Sequence, residues 1–211
     1  MINKKNKPPI FWNEAKNYLS KKDKKLEKII KSYPSDFLFS KSDPFLTLSR
    51  SIVGQQISVK AAQSVWDRLE IKITKVNPLQ IINTHTSTLK SVGLSRQKVG
   101  YLKNLAEAFI ENKIKIKYWI KMDDEEVIQD LIRVKGIGRW TAEMFLIFNL
   151  CRPDIFPLDD IGMIKGLCNI YNLNYPIEKS EVLKFGSKWK PYRSVATWYL
   201  WRSLDPIPVE Y

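Results

Sequence analysis

Gly136-Ile137-Gly138 and, further along the chain, the adjacent carboxylates Asp159 and Asp160 offer two kinds of chemistry. Glycines allow backbone conformations that a side chain would resist, so successive amide N–H groups can converge on one anion. A helix starting near Arg139 adds the positive end of its dipole to the same spot. Residues 131–142 read as a helix end, a hairpin and a second helix start, with Gly136, Ile137, Gly138, Arg139 and Thr141 as candidate phosphate contacts. An ordinary glycine-closed turn between packed helices is the alternative. The acidic pair stands before a new apolar periodicity, where an N-cap belongs, and two acids exceed what capping needs. The expectation is that Asp159 caps the helix while Asp160 faces a cleft. There an ionised carboxylate could stabilise developing positive charge or position a water. That both acids merely cap and complement the helix dipole is the alternative.

These groups need rigid support. From Trp140 to Leu150 the only charged residue is Glu143, which predicts a helix buried on most sides. Elsewhere helix follows helix, with little strand-like alternation. Asp43-Pro44 opens one helix with a cap and a first-turn proline; Ser58, Thr86, Ser95 and Asp123 open others. Asp123 to Glu126 places acids where the dipole favours them. Pro78, Gly93, Pro157 and Pro176 separate segments without forming a long linker, and no internal repeat is visible. The predicted fold class is all-α.

The hairpin, the buried helix and the stretch Phe156-Pro-Leu-Asp-Asp-Ile-Gly162 resemble the helix-hairpin-helix DNA glycosylases, and within them the DNA-3-methyladenine glycosylase II branch. Three further segments carry the resemblance: Leu48 to Ala62, Gly93 to Lys98 and Trp189 to Trp201. Together they span about residues 43 to 204.

The resemblance implies a single glycosylase unit built as two helical lobes flanking a DNA-binding cleft: a central lobe of about residues 43–150, and a second lobe from about 1–42 plus 151–211. It implies excision of alkylated purines, such as 3-methyladenine and 7-methylguanine, from double-stranded DNA. The target nucleotide must leave the stack, at a cost of a few kcal/mol. A purine alkylated at N3 or N7 is already cationic and leaves readily. The pocket then has to recognise a flat electron-poor ring, through aromatic faces worth roughly 0.5 to 2 kcal/mol each, and to stabilise charge on the sugar, which falls to Asp160. Trp140 and Trp201 align with pocket tryptophans of the family. Met144 stands where the best-known form of the branch has tyrosine, and makes the pocket less polar. Superfamily members that also cut the strand carry a Schiff-base lysine at the place of Trp140; an indole cannot act as an amine nucleophile, so a monofunctional hydrolase leaving an abasic site is expected. Gln55-Gln56, between two predicted helices, matches the position of the wedge that fills the gap left by the flipped nucleotide; an exposed polar turn is the alternative. Arg193 and Ser194 are candidate backbone contacts. No cofactor is expected, though hairpin carbonyls could hold a monovalent cation.

Composition agrees. The chain has 35 Lys plus Arg against 22 Asp plus Glu, a formal charge of +13 and a pI near 9.6, as a polyanion binder should. A lysine-rich genome would give the same figure, and the run from Asn3 to Lys7 reads as a solvated tail. A chain of 211 residues is long enough for a sizeable core. It lacks both a long apolar span and a hydrophobic signal region, so a cytoplasmic location is expected, nucleoid-associated in a prokaryote or nuclear in a eukaryote; the protein is expected to be a monomer. The single histidine, His85, excludes a multi-histidine zinc site. Two cysteines, Cys151 and Cys168, are too few for a disulfide framework or a four-cysteine cluster, and no metal is expected. Two other classes stay open: a non-catalytic helix-hairpin-helix DNA-binding protein, in which Asp160 only caps, and a glycosylase for oxidised or mismatched bases, disfavoured by Trp140 and by the missing cysteines.

Overall fold

The computed structural model describes residues 7–205, so most of the Asn3 to Lys7 run lies outside it. The all-helical expectation holds: the described residues form twelve α-helices and one short 3-10 turn, with no strand. They fall into two compact units, 41–145 and, from both ends of the chain, 7–40 with 146–205.

The 41–145 unit begins with α3 (Pro44–Gly54) and α4 (Val59–Lys72), continues through α5 (Pro78–Asn83), α6 (Thr86–Ser91) and α7 (Arg96–Ile110), and ends in α8 (Asp124–Ile132) and most of α9 (Arg139–Phe148). Local chemistry sets the helix heads. Asp43 Oδ1 accepts from Leu46 N at 3.0 Å, Ser58 Oγ from Ala61 N at 3.2 Å and Ser95 Oγ from Lys98 N at 3.2 Å. Asp123 and Glu126 form a reciprocal capping box at 2.8 and 2.9 Å. Two readings need correction. Thr86 is the first residue of α6 and not its cap, because the His85 ring nitrogen accepts from Ser87 N at 3.3 Å. Pro78 opens α5 behind the Asn77 cap, where its missing N–H costs nothing. α7 packs on α3 and α5 through Val99, Leu102 and Leu105, all buried. Each fully buried aliphatic side chain contributes roughly 1.5–3 kcal/mol.

Asp130, on α8 and 4% exposed, holds the approach to the hairpin. Its Oδ2 accepts from Lys115 N at 2.6 Å and from the Trp119 indole at 2.7 Å, tying the connection before α8 to that helix.

In the other unit, α12 (Arg193–Arg202) is buried from Ser194 to Arg202 and forms the centre. Around it lie α1 (Trp12–Lys22), α2 (Lys24–Ser32), α10 (Ile161–Tyr171) and α11 (Lys179–Trp189). α10 meets α12 on a glycine: a Cβ at Gly166 would fall 2.6 Å from Leu200 O, a backbone atom that cannot yield. Trp12 packs edge-on against Trp198, with ring centroids 5.3 Å apart.

Candidate active site and nucleic-acid interface

In the 41–145 unit the hairpin between α8 and α9 forms a tight turn. Gly136 has φ +107°, and a Cβ there would fall 2.2 Å from the Tyr101 ring, so glycine is required on both counts. Gly138 differs: nothing lies within 4 Å of where its Cβ would be, and the residue is exposed. Its carbonyl accepts from Ala142 N at 3.1 Å, starting α9, and the first amides of a helix have no partner within it.

The structure revises several of the candidate contacts here. Ile137 is 4% exposed and its N–H donates to Val134 O at 3.0 Å, so it belongs to the turn's own closure and not to an anion cradle. Thr141 is 2% exposed and its hydroxyl accepts from Gln55 Nε2 at 3.2 Å. Gln55 also donates to Gly136 O at 3.0 Å, so it braces the hairpin instead of forming a wedge. Its neighbour Gln56 is exposed in the left-handed region, φ 58°, at the tip between α3 and α4. Arg139 pairs with both oxygens of Glu125 at 3.0 and 2.7 Å and with Glu143 at 3.3 Å, which fastens α9 to α8 and leaves the guanidinium already matched by carboxylates. That pairing holds the Glu125 carboxyl down at about 2. Trp140 is half-buried on the first turn of α9; Met144 is fully buried, a packing residue and not an open pocket wall.

The 7–40 and 146–205 unit carries the carboxylates. The capping half of the expectation for the pair is overturned. Asp160 is the N-cap of α10, accepting from Met163 N on Oδ1 at 2.6 Å, whereas Asp159 is exposed and pairs with Lys179. The reason is the turn before the helix, in which Asp160 N donates to Pro157 O at 3.0 Å and so becomes the last non-helical residue. Asp160 is only 7% exposed, and its Oδ1 also accepts from the Trp201 indole N–H at 2.8 Å. Trp201, itself 7% exposed, stacks on Phe148 at 5.7 Å and 14°. It therefore touches the site as a donor to the carboxylate, a role its pocket assignment did not include.

Ser194 is removed from the interface: it is fully buried, donates to Arg152 O at 2.6 Å and accepts from Ile155 N at 2.8 Å. Arg193 is held by Asp154 through Nε at 2.7 Å and Nη2 at 2.8 Å, and shapes the loop that leads to Asp160.

Residues 49–191, which contain both the glycine hairpin and the buried aspartate, match the model of the HhH-GPD superfamily of base excision DNA repair proteins. The chain belongs to that superfamily. This HhH-GPD protein is 34% identical over 184 residues to DNA-3-methyladenine glycosylase 1 of Schizosaccharomyces pombe, across 85% of this chain and 81% of the relative. It is similar in structure to the S. pombe 3-methyladenine DNA glycosylase solved with abasic DNA: TM-score 0.82, 32% identity, 90% of this chain and 96% of the other. A Bacillus halodurans DNA-3-methyladenine glycosidase is similar at TM-score 0.73 and 31% identity, over 90% and 88% of the two chains.

Residues that sequence reasoning missed in this HhH-GPD protein are those that hold others. Lys98 donates to Val53 O at 2.7 Å at the end of α3, and burial pushes its ammonium down from the ordinary value. Tyr101 and Phe148 support Gly136 and Trp201. None carries a local signal, since each acts across a tertiary contact. Among the described residues no helix is long and apolar enough to cross a membrane, and no His/Cys/Asp/Glu cluster could hold a metal ion.

Proposed function

We propose that this chain is a monofunctional DNA glycosylase of base excision repair that flips alkylated purines out of duplex DNA and hydrolyses the N-glycosidic bond. The observation that carries the reading is the buried Asp160 carboxylate, held by Met163 N and the Trp201 indole at the head of α10. Relatives that cover most of this chain and bear the name 3-methyladenine glycosylase support the substrate class.

The chain's own groups take the following parts. Gly138 and the start of α9 receive a phosphate, which fixes position without reading sequence. Gln56, exposed at its tip, replaces the extruded nucleotide. Trp140 offers an aromatic face to a cationic base. As the bond to the charged purine lengthens, positive charge grows on the sugar and Asp160 stabilises it; the purine leaves as the neutral alkylated base with the bonding electron pair, water adds to the sugar carbon and gives up its proton to solvent, and an abasic site remains. With an indole at residue 140, no amine there attacks the sugar. No step runs through a cofactor. A monovalent ion on the hairpin carbonyls would share Gly136 O with Gln55 and Val134 O with Ile137 N. The protein acts as a monomer where the genome lies, in the cytoplasm of a prokaryote or the nucleus of a eukaryote.

The test is single-turnover release of base from duplexes carrying one 3-methyladenine, 7-methylguanine, hypoxanthine or ethenoadenine each. Alkylated duplexes should release base, product strands should stay intact until heated in alkali, and borohydride should trap no covalent complex. Absence of release across the panel would leave a non-catalytic DNA-binding protein, and a trapped complex would end the monofunctional reading.

A further inference from the structure

We infer that the Trp201 indole N–H is a positioning donor for the Asp160 carboxylate, and that Gly162 is glycine to make room for that hydrogen bond. The inference rests on the reading of Asp160 as the carboxylate of excision. A capping aspartate held by one backbone amide can still swing about its side-chain torsions. At Asp160 a second donor reaches the same oxygen from another helix, Trp201 Nε1 at 2.8 Å beside Met163 N at 2.6 Å. Two donors from different helices hold Oδ1 in place. The indole suits the task because it donates and does not accept, while an ionised carboxylate accepts and does not donate.

Three features of the fold deliver the indole. Phe148 stacks on one face at 14°, setting the ring plane. Gly166 lets α10 approach α12 so closely that a Cβ there would meet Leu200 O at 2.6 Å, one residue before Trp201. Gly162, one turn earlier on α10, lies against the hydrogen bond itself: a Cβ would fall 3.2 Å from Asp160 Oδ1, 3.3 Å from Trp201 Cδ1 and 3.4 Å from Nε1. A methyl group there must displace the indole, the carboxylate or both by a few tenths of an ångström. That shift suffices to disturb electrostatic stabilisation, which depends on preorganised geometry.

The experiment separates chemistry from binding. W201F keeps an aromatic ring and deletes the N–H; G162A keeps both partners and displaces them. Single-turnover release from a duplex with one 7-methylguanine should slow by about 10- to 100-fold in W201F, the range for a lost hydrogen bond to a charged group. G162A should lose less, about 3- to 10-fold, because the donor is shifted but not removed. Affinity for a duplex with a tetrahydrofuran abasic analogue should stay within about twofold in both. Wild-type rates in W201F, or a rate loss matched by an equal loss of affinity, would overturn the positioning role. Should W201F fail to fold, G162A and a spectroscopic readout decide. The Trp201 indole 1H–15N resonance should move in D160N; an unmoved resonance would mean that no hydrogen bond links the pair. Failure of the functional reading looks different, since D160N would then release base at the wild-type rate whatever Trp201 does.

Discussion

Asp160 at the head of α10 and Asp23 at the head of α2 are both N-cap aspartates in the same unit, and both accept an indole N–H, from Trp201 at 2.8 Å and from Trp189 at 3.1 Å. Asp23 spreads its donors over both oxygens. Oδ1 takes the amides of Lys25 and Leu26, and Oδ2 takes the Tyr171 hydroxyl and the Trp189 indole. At Asp160 the Met163 amide and the Trp201 indole meet on Oδ1. Asp130 and Trp119 make a third such pair in the 41–145 unit. The aspartate–indole pair is thus a device this chain uses repeatedly to pin helices. What separates a pin from a reacting group is whether excision depends on its charge.

The sharpest way to break the comparison is to neutralise each carboxylate in turn. Asp160→Asn keeps the N-cap, because the asparagine carbonyl still accepts from Met163 N. Single-turnover excision should nevertheless fall by about 100-fold or more, a loss of roughly 3 kcal/mol of electrostatic stabilisation, with circular dichroism unchanged. Asp159→Asn, which removes only an exposed pair with Lys179, should excise at nearly the wild-type rate. Asp23→Asn should also excise at the wild-type rate. If Asp160→Asn behaved like Asp23→Asn, the two aspartates would be equivalent pins and the site assignment would fall.

A site made of backbone responds differently from one made of a carboxylate, and the two hairpin glycines show it. Gly138→Val places a side chain in the open space before α9. Stability should change little, whereas affinity for damaged and undamaged duplex should fall together by about 10-fold, since the obstructed contact is to phosphate. Gly136→Ala meets both a left-handed φ and the Tyr101 ring, so it should lose about 1–3 kcal/mol of stability as well as binding. Equal stability of the two variants, measured by urea unfolding, would contradict the division of labour between these glycines.

The helix heads were legible because capping is local: Asp43, Ser58, Ser95 and Asp123 each satisfy the amide three residues ahead. So were the hairpin glycines and the buried character of α9. What sequence hid was partnership. Gln55 looks like a polar tip residue until the hairpin carbonyl 81 positions away is placed against its amide. Ser194 looks like a surface hydroxyl until the loop around Asp154 closes over it. The Asp159-Asp160 order failed for a subtler reason. Both acids precede the apolar run, and only the Pro157 to Asp160 turn decides which of them enters the helix as its cap.

The smallest expected effect concerns the pin itself. Burial pushes the Asp23 carboxyl up, but hydrogen bonds from Tyr171, Trp189 and the amides of Leu26 and Lys25 together outweigh it and hold the group below its ordinary value of 3.8. A carboxylate whose folded value is depressed stabilises the fold above its unfolded value, and loses that contribution as pH falls through the folded one. Asp23 is part-exposed, so solvent screens that contribution and keeps it small at pH 7. Glu27 and Glu125, both held at about 2 by basic neighbours, titrate in the same acid window, so the wild-type acid transition alone would not isolate Asp23. Asp23→Asn does isolate it, because the other two contributions cancel between variant and parent. The stability gap between them should be full at pH 7 and narrow steadily below pH ~4 as Asp23 takes up its proton. A gap that stays constant across that range would show that Asp23 acts only through shape, and that charge plays no part in pinning α2.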